Sequence, residues 1–379
     1  MTELINSLHV LRAELHRFPE LSFKEERTAD IIQSFITERI TGSNLFTIHR
    51  PFLTSVVVEY SNGGDLPYRL FRADMDALPV KECKSNEIIS QNQGVMHACG
   101  HDVHMTILCG LIAETARLKP QKNVLFVFQP GEEGAGGAKG LIDSGFFERF
   151  NIERAFALHV TDDHEVGEVA SNGGLLFAIP REIDVVFKGK SAHAAYPEKG
   201  NNALMASARF LFKCGENLKN VIAENEVFLA HFGKISSGTA RNIISDYAEI
   251  QGTLRSFDMD VMIKGTETVK KTADESAAFF GCSAEVKILG EYVAVKNDTK
   301  LFDLLKKISL EKGIRCIDKK GELVGEDFGY FTQKWGGLLF WLGSKESGTD
   351  PNPLHSEKFF PSFKAIDTGL KIMREILLY

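Results

Sequence analysis

The segment Asn123-Val-Leu-Phe-Val-Phe128 constrains the fold more than any other in the chain. Its apolar residues run without alternation, the pattern of a strand buried on both faces of a parallel sheet. It leads directly into Gln129-Pro130-Gly131-Glu132-Glu133-Gly134, and a helix is expected from Gly136 to Ser144. Arg154–Leu158 is a second short apolar strand and ends at His159. Ser55–Glu59 and Tyr68–Arg72 read as strands flanking an Asn62-Gly63-Gly64-Asp65 turn, a hairpin-like signal. The second of these runs on into Asp74 and Asp76. Asp74/Asp76, Glu132/Glu133 and His159 thus each sit just beyond the C-terminal end of a predicted strand, the edge at which open α/β sheets bind ligands.

Helical spacing is visible over Glu3–Phe18 until Pro19, and again over Glu25–Thr37 and over Met105–Leu118 until Pro120. From about Pro180 the order changes. Strand Arg181–Lys188, helix Asn202–Asn220, strands Val227–Lys234 and Ala248–Phe257, helix Met259–Phe280 and strand Ser283–Leu289 follow one another. This β-α-β-β-α-β order is the ferredoxin-like layout. It predicts a unit of about 110 residues inserted into the first domain, a normal domain size. Helix Thr299–Lys312, strand Leu338–Leu342, a Gly/Pro loop carrying His355 and helix Ala365–Leu378 complete the chain. A length of 379 residues also exceeds what one core usually supports, so two domains are expected.

A net charge of −7 and a pI near 5.9 offer no basic field to nucleic acid or anionic lipid. No apolar run approaches the roughly 18 residues of a bilayer span. The first twenty residues, with Glu3, Arg12, Glu14, Arg17 and Glu20, are neither signal peptide nor anchor. Six scattered cysteines lack disulfide-framework spacing. Together these features lead us to expect a cytoplasmic protein.

His97-Ala98-Cys99-Gly100-His101-Asp102-Val103-His104 packs a thiol, three imidazoles and a carboxylate into eight positions. Cys99 and His101 flank a glycine that lets both side chains face one centre. Thiolate and imidazole suit zinc, nickel, cobalt or manganese better than magnesium or calcium. Taken singly, the candidates have plainer explanations: His159 as a core histidine, His355 as a surface residue, Glu132/Glu133 as a solvated helix start. Taken together they fall on one predicted sheet edge. Adjacent glutamates suit a metallohydrolase, because one can bind metal while its neighbour serves as a base. Two divalent ions bring about +4 against about −3 from Cys99 thiolate, one glutamate and hydroxide, leaving a centre that favours an anionic substrate.

RADMDALP (72–79), MHACGHDVHMT (96–106), FQPGEEGAGGA (128–138), ALHV (157–160), GKSAHAAYP (189–197), GTARNII (238–244), GTLRSF (252–257), GEDFGYF (325–331) and PLHS (353–356) span nearly the whole chain. In these segments the chain resembles the metal-dependent amidohydrolase branch of the aminoacylase, hippurate hydrolase and acetylornithine deacetylase superfamily. GLLFA (174–178), GEDFGYF and FWLG (340–343) suggest the bacterial N-acetyldiaminopimelate deacetylases within it. The resemblance implies an α/β fold: a mixed-sheet, zinc-peptidase-like catalytic domain over 1–178 and 292–379, with a ferredoxin-like lid and dimerisation domain over 179–291. It implies Cys99, His101, Glu133, His159 and His355 as ligands of two divalent ions (zinc, manganese, nickel or cobalt). Glu132 becomes the general base and acid, and Asp74 an acid supporting the centre. Asp76 and Asp102 become residues that orient imidazoles. Through a homodimer, His193 reaches the partner's site to polarise the scissile carbonyl, Arg241 and Asn242 meet the substrate carboxylate or oxyanion, and Gly325-Glu326-Asp327 lines the pocket. Gly131 departs from the alanine that many relatives carry before the glutamate pair, without removing a chemical group.

The expected reaction is hydrolysis of an N-acyl amino acid, foremost N-acetyl-L,L-diaminopimelate to acetate and the amine, a step of lysine biosynthesis. Rival substrates within the branch are N-acetylcysteine, hippurate or acyl amino acids in general. A non-catalytic metal-binding protein would not need the Glu132/Glu133 pair and His193. A cysteine hydrolase using Cys99 with His101 would leave Glu132, Glu133 and His355 unexplained.

Overall fold

The computed structural model describes residues 2–134 and 136–379. The chain divides into two units. One comprises the residues up to Leu176 with Val295–Gly321 and Asp327–Tyr379, and the other Phe177–Ala294 with Glu322–Glu326.

In chain order the first unit begins with helices α1 (Thr2–Arg17) and α2 (Glu26–Ile40) and strands β1 (Phe46–His49), β2 (Val56–Ser61) and β3 (Tyr68–Asp74). Helix α3 (His101–Leu118), strand β4 (Asn123–Gln129), helix α4 (Gly137–Asp143) and strands β5 (Ile152–Glu165) and β6 (Glu168–Ser171) follow. The second unit is built from β7 (Ile179–Lys188), α5 (Ala203–Val221), β8 (Phe228–Ser237), β9 (Tyr247–Ser256), α6 (Met259–Phe279) and β10 (Ser283–Glu291). The chain then returns to the first unit with α7 (Thr299–Glu311), β11 (Arg315–Asp318), α8 (Gly329–Trp335), β12 (Gly337–Lys345) and α9 (Lys364–Leu378).

The first unit holds an eight-stranded sheet in the order β1-β2-β4-β3-β5-β12-β6-β11. It is mixed. The β3–β4, β3–β5, β5–β12 and β6–β11 pairs are parallel, and β1–β2, β2–β4 and β6–β12 antiparallel. β4 is buried along its whole length, as its unbroken apolar run requires. Helix α3 packs against α1, α2 and α9 and against the sheet, and it is apolar nearly all round because it has neighbours on every side.

The hairpin-like signal around Asn62–Asp65 does not produce a hairpin. β2 and β3 are separated by β4, antiparallel to one and parallel to the other. The turn instead closes around the side chain of Asn123, the first residue of β4. Its Oδ1 accepts from the amides of Asn62 (3.0 Å) and Gly63 (2.8 Å), and its Nδ2 donates to the carbonyls of Gly64 (3.0 Å) and Leu66 (2.7 Å).

β5 likewise extends past the expected end at His159. Its pairing with β3 finishes at Arg72↔Ala157, but β12 accompanies it to Lys345↔Glu165. His159 therefore lies within a strand, at the level where one neighbour stops and the other continues.

The second unit carries an antiparallel sheet in the order β8-β9-β7-β10. With its two helices this is the ferredoxin-like arrangement that the element order predicts. Its core joins Val185, Phe187 and Ile250 of the sheet to Phe210 of α5 and to Met262 and Val269 of α6. Among the described residues no helix is long and apolar enough to cross a membrane.

Candidate active site

Local backbone geometry brings four distant segments of the first unit together. Gly100 has φ +80°, and a Cβ there would lie 2.3 Å from Val160 Cγ2. Only glycine turns the chain this tightly, and the turn places Cys99 just before α3 and His101 at its first residue. The His355 amide donates to the Ala98 carbonyl at 2.8 Å, pinning the loop after β12 beside Cys99. His355 itself adopts φ +66°, a costly conformation for a residue with a Cβ. The amides of Glu132 and Glu133 donate to Asp76 Oδ1 and Oδ2, both at 3.0 Å, fixing the glutamate loop to the end of β3.

Cys99 Sγ then lies 3.3 Å from His159 Nε2 and 3.3 Å from His355 Nε2, and His355 Nε2 lies 3.4 Å from Glu133 Oε1. Ligand atoms lie within 4.8 Å of one another in Cys99/His101/His159 and in Cys99/Glu133/His355, and likewise in His101/Glu132/Glu133 and Asp74/His101/His104. The first two share the thiol, an arrangement suited to two ions bridged by one thiolate.

Two of the inward imidazoles are oriented from behind. His101 Nδ1 donates to the Asp76 carbonyl at 2.8 Å, and His159 Nδ1 to the Val160 carbonyl at 2.8 Å. Both therefore present Nε2 lone pairs to the cluster, the tautomer that a metal requires. His101 Nε2 and Glu133 Oε1 are buried without a hydrogen-bond partner, which a cation would satisfy.

Electrostatics agree. Burial alone would lower the His101 pKa, but Asp74, Asp76 and Glu133 outweigh it and raise the value to about 10. Burial, then Glu133, Glu132 and Asp74, hold the Cys99 thiol well above its usual range. Both shifts express an excess of negative charge that divalent cations would neutralise, at which point thiolate and neutral imidazole become the stable forms. The residues present fit a two-ion centre.

Asp74 has both oxygens engaged. Arg72 Nη1 donates to Oδ2 and His104 Nδ1 to Oδ1, each at 2.6 Å, while His101 Nε2 lies 3.7 Å from Oδ2. Burial opposes the charge, yet His101, His104 and Arg72 keep this carboxyl well below its ordinary pKa. His104 also accepts the Val160 amide at 2.9 Å, so neither of its nitrogens is left for a ligand role.

Asp102 turns away from the cluster. The imidazole it holds is His16, at 3.0 Å from Oδ2, and Arg12 Nε joins the same oxygen at 3.1 Å. Asp102 thus does not orient an imidazole of the metal set. The reason is its place in the first turn of α3, on the side that packs against α1.

Asp327, which the sequence places at the pocket, anchors a supporting network with Arg72 and Gln129 that the sequence does not reveal. Asp327 accepts from Arg72 Nη2 (2.8 Å), from Gln129 Nε2 and from the Ala138 amide (2.9 Å), and Arg72 Nε donates to Gln129 (2.8 Å). All three side chains sit within the motif segments, and that position was the only signal for them.

The other candidates belong to the second unit. A two-strand ribbon pairs His193 with Ile243, and the Ala194 amide donates to the Asn242 carbonyl at 3.0 Å, so His193, Arg241 and Asn242 share one exposed edge. The Ala195 amide donates to His193 Nδ1 at 3.1 Å, which leaves Nε2 as the donor. Glu326 is buried.

Residues 70–379 match the model of peptidase family M20/M25/M40. N-acetyldiaminopimelate deacetylases of a Geobacillus species and of Shouchella clausii are 33% and 34% identical, each over 97% of this chain and over 96% and 97% of their own. A dinuclear metal-binding M20 peptidase of Bacillus subtilis superposes with TM-score 0.83 at 26% identity, covering 100% of this chain and 98% of that one. A putative aminohydrolase from methicillin-resistant Staphylococcus aureus gives 0.90 at 24% identity over 100% and 97%, a likeness of fold.

Proposed function

This chain belongs to peptidase family M20/M25/M40, whose members are metal-dependent hydrolases, and we propose that it deacetylates an N-acetyl amino acid, foremost N-acetyl-L,L-diaminopimelate. The observation that carries the reaction class is the pair of ligand triads sharing Cys99, with Glu132 beside them. The substrate rests on relatives of that name that align over 97% of this chain.

Cys99, His101, Glu133, His159 and His355 would hold two divalent ions. When bound, these supply Lewis acidity and bring a water's pKa to about 7. Glu132 accepts the proton of the attacking water and returns it to the amide nitrogen as the C–N bond breaks, so amide and water leave as acetate and amine. Asp74 acts by holding His104 in place and by adding negative charge beside His101. In a homodimer formed through the second unit, His193 of one subunit donates from Nε2 to the carbonyl oxygen in the partner's site, where a well-placed donor is worth about 3 to 4 kcal/mol. Arg241, Asn242 and Glu326 recognise the polar ends of the substrate.

The test is elemental analysis of the purified protein together with acetate release from N-acetyl-L,L-diaminopimelate, N-acetylcysteine and N-acetylmethionine, and benzoate release from hippurate. Two ions per chain with kcat/KM highest for the diaminopimelate derivative is the expected result. A higher value for another acyl amino acid would transfer the assignment to it, and a protein inert to all four would remove the hydrolase reading.

A further inference from the structure

Three consecutive amides of the glutamate loop donate to buried carboxylates. Two are the Glu132 and Glu133 amides on Asp76. The third is the Gly131 amide, which donates to Glu25 Oε1 at 3.0 Å. Glu25 lies just ahead of α2, far from the metal-type side chains in sequence, and is fully buried. No cation pairs with it among the described residues. The same Oε1 accepts the Phe23 amide at 2.9 Å, and Oε2 accepts Thr54 Oγ1 at 2.5 Å. An unpaired carboxylate is costly to bury, so its contacts must repay the desolvation.

Those contacts join two unusual backbones. Phe23 has φ +62° and Gly131 φ +64°, both left-handed. A Cβ on Gly131 would lie 2.4 Å from Phe23 Cε1, so the aromatic ring occupies the space that the missing side chain leaves. Ser22 Oγ, one residue earlier, donates to Asp76 Oδ2 at 2.7 Å. One short turn, Ser22 to Glu25, therefore grips the residue immediately before the glutamate pair through an oxygen shared by both left-handed residues. It also reaches the carboxylate that holds the pair itself. Gly131 has no side chain of its own to resist rotation, so the loop's approach to Glu132 depends on this anchor.

We propose that Glu25 is a positioning residue for the general base: it staples Phe23 to Gly131 and so sets the direction in which Glu132 leaves the loop. This rests on Glu132 being the base. Burial raises the Glu25 pKa, opposed first by the Thr54 hydrogen bond, yet a protonated or an amide oxygen would still accept both amides. The staple therefore requires an acceptor at Oε1, and charge is secondary.

Three variants test it. Glu25→Ala removes the acceptor and should lower kcat 10- to 100-fold, the cost of a displacement on the order of 1 Å at a reacting group. KM should stay within about threefold and metal content should be unchanged. Glu25→Gln keeps the Oε1 acceptor while the Thr54 hydroxyl turns to receive the new amide, so kcat should remain within about threefold of wild type. Hydrogen exchange of the peptide spanning 129–137 supplies a readout independent of turnover and of bound metal. It should accelerate in Glu25→Ala and not in Glu25→Gln. If Glu25→Ala does not fold, Glu25→Asp, which keeps the charge but draws the oxygen back by one methylene, should show the same loss and the same faster exchange. Wild-type kcat and exchange in a folded Glu25→Ala or Glu25→Asp protein would overturn the proposal, as would a Gln variant no better than Ala. Glu132→Gln separates the two ideas. If it retains turnover the base assignment fails, while the exchange measurement still decides whether the staple exists.

Discussion

The interior of the first unit contains a histidine whose charge stabilises the fold over a defined pH range. His16 on α1 is 1% exposed, with Nδ1 3.0 Å from Asp102 Oδ2 and Nε2 2.8 Å from Glu82 Oε1. Burial alone would lower its pKa, but hydrogen bonds and charge from Asp102 and Glu82 outweigh this and raise it from 6.5 to about 9. A raised folded-state value means that the contribution is complete below pH 6.5, where the unfolded chain is protonated too. It is lost as pH climbs through about 9. At 1.36 kcal/mol per pKa unit, the displacement is worth about 3 kcal/mol. His16→Gln preserves polar contact but cannot hold the charge. The stability difference between wild type and His16→Gln, measured by urea unfolding in chelator from pH 6 to 9.5, should therefore shrink by about 3 kcal/mol across that range. Taking the difference cancels every titration that the two proteins share. His97 does not confuse the result. Its ring is kept neutral by burial down to about pH 4, so its contribution is present above pH 6.5 and lost only on acidification. A difference that stays flat between pH 6.5 and 9 would refute the reasoning, because it would mean that His16 is neutral in the folded state.

Glu132→Gln should reduce kcat at least 100-fold with both ions retained, since general-base catalysis is worth about 10²- to 10⁴-fold; elemental analysis showing lost metal would exchange the roles of Glu132 and Glu133. Mixing Glu132→Gln and His193→Ala proteins should recover activity through hybrid dimers that carry one intact composite site, and no recovery after demonstrated subunit exchange would end the trans role of His193. Gly131→Ala should destabilise the first unit by more than about 2 kcal/mol in denaturant unfolding, because the left-handed backbone alone costs about 1 to 2 kcal/mol before the new Cβ meets Phe23. Chelation should abolish acetate release, with zinc, cobalt, nickel or manganese restoring it to different degrees in a refilling titration.

Much of the layout is legible in the sequence. Continuous apolarity marked β4 as a doubly buried strand, and helical spacing found α3, α5, α6 and α9 within a few residues of their observed ends. The ferredoxin-like unit could be read from element order alone, since strand–helix–strand spacing leaves few ways to close such a sheet. The short strands β1, β6 and β11 are not visible: four residues carry too little apolar signal, whether at the sheet's edges (β1, β11) or between two neighbours (β6). The false hairpin has a specific cause. A Gly-rich turn between two apolar runs looks the same whether the runs pair with each other or receive a third strand, and here the Asn123 side chain decides for the third strand.

The metal-type side chains were recognisable because thiol, imidazole and paired carboxylates are rare together and carry their chemistry in their identity. Glu25, His16 and Arg12 give no such signal. They look like ordinary charged residues, and only burial and partners separate a solvated carboxylate from one that holds a loop in place. Residue type and periodicity therefore carry the candidate metal-type side chains and the two-part architecture, while the reaction class is read from the resemblance of the motifs to a known family. That one thiol is shared by two triads, that Asp102 serves α1, and that Gly131 is held by Glu25 emerge from the folded chain alone. Those facts depend on distances between segments tens to hundreds of residues apart, and packing sets such distances while local sequence does not.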